Sequence, residues 1–123
     1  MATVELTADN VDSTVSGDGL VLVDFWADWC PPCRMFGPVF EKASERHAGA
    51  VFGKVDTEAE PELAATFGIS SIPTLMIIRD GVVLYARPGA LPETALEELI
   101  TKAGELDMDE VRASLAAPAP AGQ

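Results

Sequence analysis

Basic residues are scarce in this sequence. Eight lysines and arginines stand against twenty aspartates and glutamates, a formal net charge of −12 over 123 residues. Such a chain repels nucleic-acid phosphate and has no basic stripe to offset the repulsion, so nucleic-acid binding is excluded first. Histidine is scarcer still, with His47 alone. A structural zinc site needs about four Cys or His ligands, which one histidine and two cysteines do not supply, so no metal is expected. Two cysteines are also too few for a disulfide-stapled scaffold, and a domain of this length does not need one. Long apolar runs are missing too. The longest before the cysteines, residues 20–23, is too short to cross a bilayer, and MATVELTADN has neither the basic nor the apolar region of an export signal. We therefore expect a soluble cytoplasmic protein with no membrane partner.

What is present is an ordinary folded composition. A hydrophobic share of 48% against 23% charged residues is that of a packed domain and excludes a disordered chain. Short apolar segments alternate with helical periodicity in the order β-α-β-α-β-α-β-β-α, which predicts an α/β fold with a central sheet between helices. Residues 4–6 read as an edge strand and 8–15 as a short helix capped by Thr7. Residues 20–27 read as a central strand, apolar on both faces. A helix follows over 33–47, a strand over 50–56 and a helix from Pro61 to Gly68. Segments 74–78 and 82–86 flank Arg79-Asp80-Gly81, where Asp-Gly suits the positive φ angles of a tight hairpin. Residues 92–102 form an amphipathic helix with Leu96, Leu99 and Ile100 inward and Glu93, Glu97 and Glu98 toward solvent. Asp107 and Glu110 resemble a capping pair, so a further helix is expected over 108–116 before an Ala/Pro-rich disordered tail. We divide the chain into a domain over 1–103 and an acidic extension over 104–123.

The stretch VDFWADWCPPCR, residues 23–34, concentrates the chemistry. In a reducing compartment two closely spaced cysteines are more often redox-active or metal-binding than structural. Cys30 falls where the central strand gives way to a helix, and Cys33 lies one turn inside, within disulfide reach. Unpaired N–H groups and the positive end of the helix dipole favour a thiolate there. Cys30 is then the attacking sulfur and Cys33 the resolving one. His47 is roughly 20 Å from Cys33 along the predicted helix, at about 1.5 Å per residue, too far for a base or co-ligand. Asp24 sits inside an apolar run that predicts burial, which raises a carboxyl pKa and makes it a candidate proton-exchange partner for Cys33; an exposed acid or a simple ion pair is the alternative. Lys54, in the neighbouring predicted strand, either pairs with Asp24 across the sheet or extends to the surface. Trp29 reads as an exposed contact surface and Trp26 as core.

These residues resemble the thioredoxin family. The similarity runs from about Val4 to Lys102 and rests on Asp24-Phe25-Trp26-Ala27, Trp29-Cys30-Pro31-Pro32-Cys33, Pro38, Lys54-Val55-Asp56, Ser71-Ile72-Pro73-Thr74, the Asp80-Gly81 hairpin and Gly89-Ala90. It implies a mixed sheet flanked by helices and an enzyme that reduces disulfides in client proteins, itself re-reduced by thioredoxin reductase with electrons from NADPH. It implies that Pro73 is a cis-proline facing the cysteines. Trp29, Ile72, Pro73, Gly89 and Ala90 would line the substrate groove together with Pro31 and Pro32 of the active-site loop. Asp24 and Lys54 match the family's proton-exchange positions. We expect a monomer whose only redox group is the Cys30-Cys33 pair, with no bound cofactor. Pro31 departs from the glycine typical of the family; it removes an N–H near Cys30 and stiffens the loop. Cys-Pro-Pro-Cys also occurs in extracytoplasmic relatives serving cytochrome maturation, and a thiol-disulfide isomerase or oxidant, or a binding module in which redox turnover is incidental, are the rival readings.

Overall fold

The computed structural model of the chain describes residues 2–116. Five strands form one sheet: β1 (Thr3–Glu5), β2 (Leu20–Trp26), β3 (Val51–Asp56), β4 (Thr74–Arg79) and β5 (Val82–Pro88). Their spatial order is β1-β3-β2-β4-β5, parallel across β1, β3 and β2 and antiparallel across β2, β4 and β5. Five helices accompany it: α1 (Val11–Val15), α2 (Pro31–Arg46), α3 (Pro61–Thr66), α4 (Glu93–Glu105) and α5 (Met108–Ala116). The architecture is the expected mixed sheet flanked by helices.

β2 sits at the centre and explains its own sequence. Leu22 points into a core with Phe36 and Phe40 of α2, Phe52 of β3, and Leu96 and Ile100 of α4. Val21, Val23 and Phe25 point the other way, into a second core with Leu6, Val11 and Leu63. A strand covered on both faces has no polar face to show, hence the unbroken apolar run. β3 passes so close to Leu6 that a Cβ on Gly53 would overlap its side chain. The hairpin turn has Asp80 at φ 52° and Gly81 at φ 79°, the two left-handed residues of a tight two-residue loop.

Several boundaries differ from the sequence expectation. The first helix begins at Val11, with Asn10 and not Thr7 at its N-cap position. Asn10 Oδ1 accepts the Thr7 N–H at 2.8 Å and Thr7 Oγ1 accepts the Asp9 N–H at 3.2 Å, so residues 7–10 form a side-chain-bonded turn instead of helix. α2 starts at Pro31 because proline is well suited to a first helical turn, and it continues through Pro38. Glu97 does not simply face solvent: His47 Nε2 lies 2.8 Å from its Oε1 and Arg46 Nη1 3.3 Å from its Oε2. α4 runs on through Gly104 to Glu105, across the boundary expected at 103/104. Asp107 Oδ1 accepts the Asp109 and Glu110 N–H groups at 3.0 and 3.2 Å, which starts α5 where the capping pattern places it. The expected disordered tail, residues 117–123, lies outside the described residues. Among the described residues no helix is long and apolar enough to cross a membrane.

Candidate active site

The parallel register carries β2 out of the sheet at Trp26, and α2 begins five residues later, so residues 27–30 turn at the sheet's C-terminal edge. Cys30 is the N-cap of α2, in extended conformation, and is joined to Cys33 by a disulfide with Cα atoms 5.2 Å apart. Pro31 and Pro32 occupy the first turn and carry no N–H. The Cys33 N–H is therefore the first backbone donor of the helix, and it points at Cys30 Sγ from 3.2 Å. That donor and the helix dipole both favour negative charge on Cys30 when the bond is reduced. Both cysteines are buried in the oxidised state, whereas Trp29 beside them is 63% exposed.

The chain returns to this point at residues 70–74. The Ile72-Pro73 peptide bond is cis, and the Ile72 carbonyl oxygen lies 3.8 Å from Cys30 Sγ. The Gly89 N–H donates to the Pro73 carbonyl at 2.8 Å, which brings exposed Gly89 and Ala90 beside the same loop. A groove of about 410 Å³ runs here, lined by Trp29 and Ile72 together with Thr57, Ile69, Ser70 and Ser71. Those last four were not singled out as site residues in the sequence. Ile69, Ser70 and Ser71 directly precede Ile72 in the loop between α3 and β4, which was the available signal; Thr57 follows β3 and left none.

Asp24 lies at 0% exposure, and neither carboxylate oxygen has a hydrogen-bond partner. Burial pushes its pKa up from the ordinary 3.8 to about 7, against the opposing pull of the Lys54 charge. Asp24 and Lys54 are register partners across β2 and β3, yet no direct ion pair closes between them: the Lys54 ammonium lies over the Trp26 ring, 5.1 Å from its centroid. Cys33, Lys54 and Trp26 share a second cleft, with the half-buried Lys54 reaching into it. His47 is on the other end of α2, stacked against Phe52 and engaged with Glu97, and has no part in the site. Among the described residues no group of three or more His, Cys, Asp or Glu is placed to hold a metal ion.

The arrangement is a dithiol at a helix start, an exposed aromatic and a groove beside it, and a buried acid behind it. Comparison with known proteins agrees. The family model described as Thioredoxin matches residues 2–102. A Streptomyces coelicolor protein described as "Putative thioredoxin 2" is 63% identical over 115 residues, covering 94% of this chain and 86% of that one. Bacillus subtilis thioredoxin is 40% identical over 103 residues, covering 83% of this chain and 98% of its own. The solved structure of a mutant thioredoxin from Halobacterium salinarum superposes with a TM-score of 0.77 at 34% identity, covering 85% of this chain and 92% of that one.

Proposed function

Since this chain belongs to the thioredoxin family, we propose a residue-level cycle for the thioredoxin-type disulfide reduction that membership brings. The protein is a dithiol-disulfide oxidoreductase working through Cys30 and Cys33. In the proposed cycle the Cys30 thiolate attacks one sulfur of a client disulfide, forming a mixed disulfide and releasing the first client thiolate. Asp24 takes the Cys33 proton; the Cys33 thiolate attacks Cys30 Sγ and expels the second client sulfur. Two electrons pass to the client and the Cys30-Cys33 bond is restored. Trp29, Ile72, Pro73, Gly89 and Ala90 receive the client segment, Pro31 and Pro32 shape the loop, and Lys54 tunes Asp24. Re-reduction falls to a thioredoxin reductase drawing on NADPH, in the cytoplasm, with the chain acting as a monomer.

The observation that carries this reading is the Cys33 N–H aimed at Cys30 Sγ, with a carboxyl that holds its proton near neutrality on the adjoining strand. We place the catalytic domain at residues 1–103, close to the end of the family match at residue 102 although α4 runs two residues past it, and take 104–123 as an extension. Insulin reduction by Cys30→Ser tests the cycle. Loss of turnover is expected, and retained turnover would refute the assignment of Cys30; a binding module would instead keep its partner with both cysteines changed to serine. Reduction potential separates reductant from oxidant: a value near or below about −270 mV, where thioredoxins lie, is that of a reductant, while one of about −180 to −120 mV is that of an isomerase or oxidant.

A further inference from the structure

A second cleft of about 310 Å³, distinct from the Trp29 groove, reaches Cys33 and Lys54, and Glu41 of α2 lines it. Thr3 Oγ1 on β1 donates to Glu41 Oε1, while Oε2 is buried with no hydrogen-bond partner. Gly37 lies one helical turn before Glu41 on the same side of α2. A Cβ added there would stand 3.8 Å from Lys54 Nζ, which puts the ammonium beneath the face that carries Glu41. Strand register aligns Glu5 of β1, Lys54 of β3 and Asp24 of β2 in one row. Row partners share a sheet face, and Leu75, the next member, packs against α2, so this is the face α2 covers. One ammonium is thus set among three carboxyl groups.

We propose that Glu41 is a positioning residue for proton exchange at Cys33: its carboxylate, held at the cleft by Thr3, competes with Asp24 for the field of the Lys54 ammonium. This rests on the reading of Asp24 as the proton-exchanging acid. Burial raises the Asp24 pKa and Lys54 lowers it. The Glu41 carboxylate draws the Lys54 ammonium toward itself and away from Asp24, which weakens the cation's lowering effect, and it adds its own repulsion; both effects keep the Asp24 proton on to higher pH. Glu5 acts in the same sense but is exposed, and its influence is screened by salt. The other charged or titratable groups facing this region are reduced Cys33, exposed Asp28 and Arg34, Arg87 of β5, and Asp56, which shares the Trp26 row and whose Oδ1 accepts the Glu58 N–H at 3.0 Å. Arg34 is turned toward the loop, its Nε–H donating to the Asp28 carbonyl at 2.9 Å. Arg87 is exposed and lies beyond Leu75 in the same row.

Carbon-13 NMR titration of the Asp24 carboxyl in the oxidised full chain reads the competition directly. Glu41→Gln is expected to lower the Asp24 midpoint by about half a pH unit. With Lys54→Met in place, the same substitution should move it by less than half as much. Thr3→Val, which frees Glu41 from its hold while leaving its charge, should move the midpoint in the same direction and serves as an independent probe of a gentler kind. An unmoved midpoint in Glu41→Gln, or an equal shift with and without Lys54, overturns the proposal. Turnover of Asp24→Asn is a separate readout: if it were unchanged, the role of Asp24 would fall while the midpoint shift still reported on Glu41 and Lys54.

Discussion

Asp24 shares the α2 face of β2 with Leu22, beside Leu75, without a single hydrogen bond to its carboxylate, so its ionised form bears the full desolvation penalty of the site. In the unfolded chain it ionises near 3.8, in the native state near 7. Between those values the folded protein holds a proton that the unfolded chain has released, so stability falls as pH rises across that window. The loss is on the order of 4 kcal/mol if the full shift is realised. Chemical denaturation at several pH values should show this decline in the wild type, and Asp24→Asn should flatten it and be the more stable form above pH 7. The same variant should slow insulin reduction near neutrality by at least about tenfold, the low side of what a positioned proton-transfer group supplies. An unchanged rate would remove Asp24 from the cycle. Burial of Asp24 was legible from its apolar neighbours in sequence. Its missing partner was not, because the Lys54 side chain goes to the face of Trp26, a choice set by packing beneath α2.

At the scale of elements, the strand-to-helix junction between β2 and α2 was readable because it is local: an apolar run, two tryptophans and prolines at a helix start. The hairpin was readable for the same reason, Asp80 and Gly81 both adopting positive φ. α5 is attached by contacts that no local pattern announces. Arg79 Nη1 fixes the end of α4 just before it, donating to the Ala103 and Leu106 carbonyls at 3.0 and 2.7 Å, and in α5 itself Arg112 lies 3.6 Å from Asp80 and Met108 is 7% exposed. Arg79 pairs with Leu20 at the start of β2, whereas Cys30 lies beyond the end of that strand. α5 therefore sits at the sheet end remote from the disulfide. Met108→Ala is expected to cost about 2 kcal/mol in denaturant unfolding through lost burial, and Asp107→Ala about 1 kcal/mol through loss of the two cap bonds. Insulin turnover by either variant should stay at the wild-type rate below the unfolding transition; a fall would mean that the extension communicates with the active site.

For the whole molecule, the net charge of −12 opposes compactness through self-repulsion. Raising ionic strength from about 0.01 to 0.15 M shortens the screening length from about 30 to 8 Å, so the midpoint of thermal unfolding should rise with added sodium chloride. Over the same range reduction of an acidic client should speed up and that of a basic client slow down, since steering is lost with screening. Equal salt responses for both clients would show that charge does not guide encounter. The sequence by itself determined the layer order, the central strand, the dithiol at a helix start and the acid behind it, because each is written in neighbouring residues or in a period of two or 3.6. Only the tertiary structure decided that Thr57 joins the Trp29 groove and that Glu41 shares a cleft with Lys54, while the meeting of Ile72 with Cys30 was implied only by the family resemblance. Those meetings join residues far apart in the chain, and they depend on strand register and on how α2 lies across the sheet, quantities that no local stretch of sequence carries.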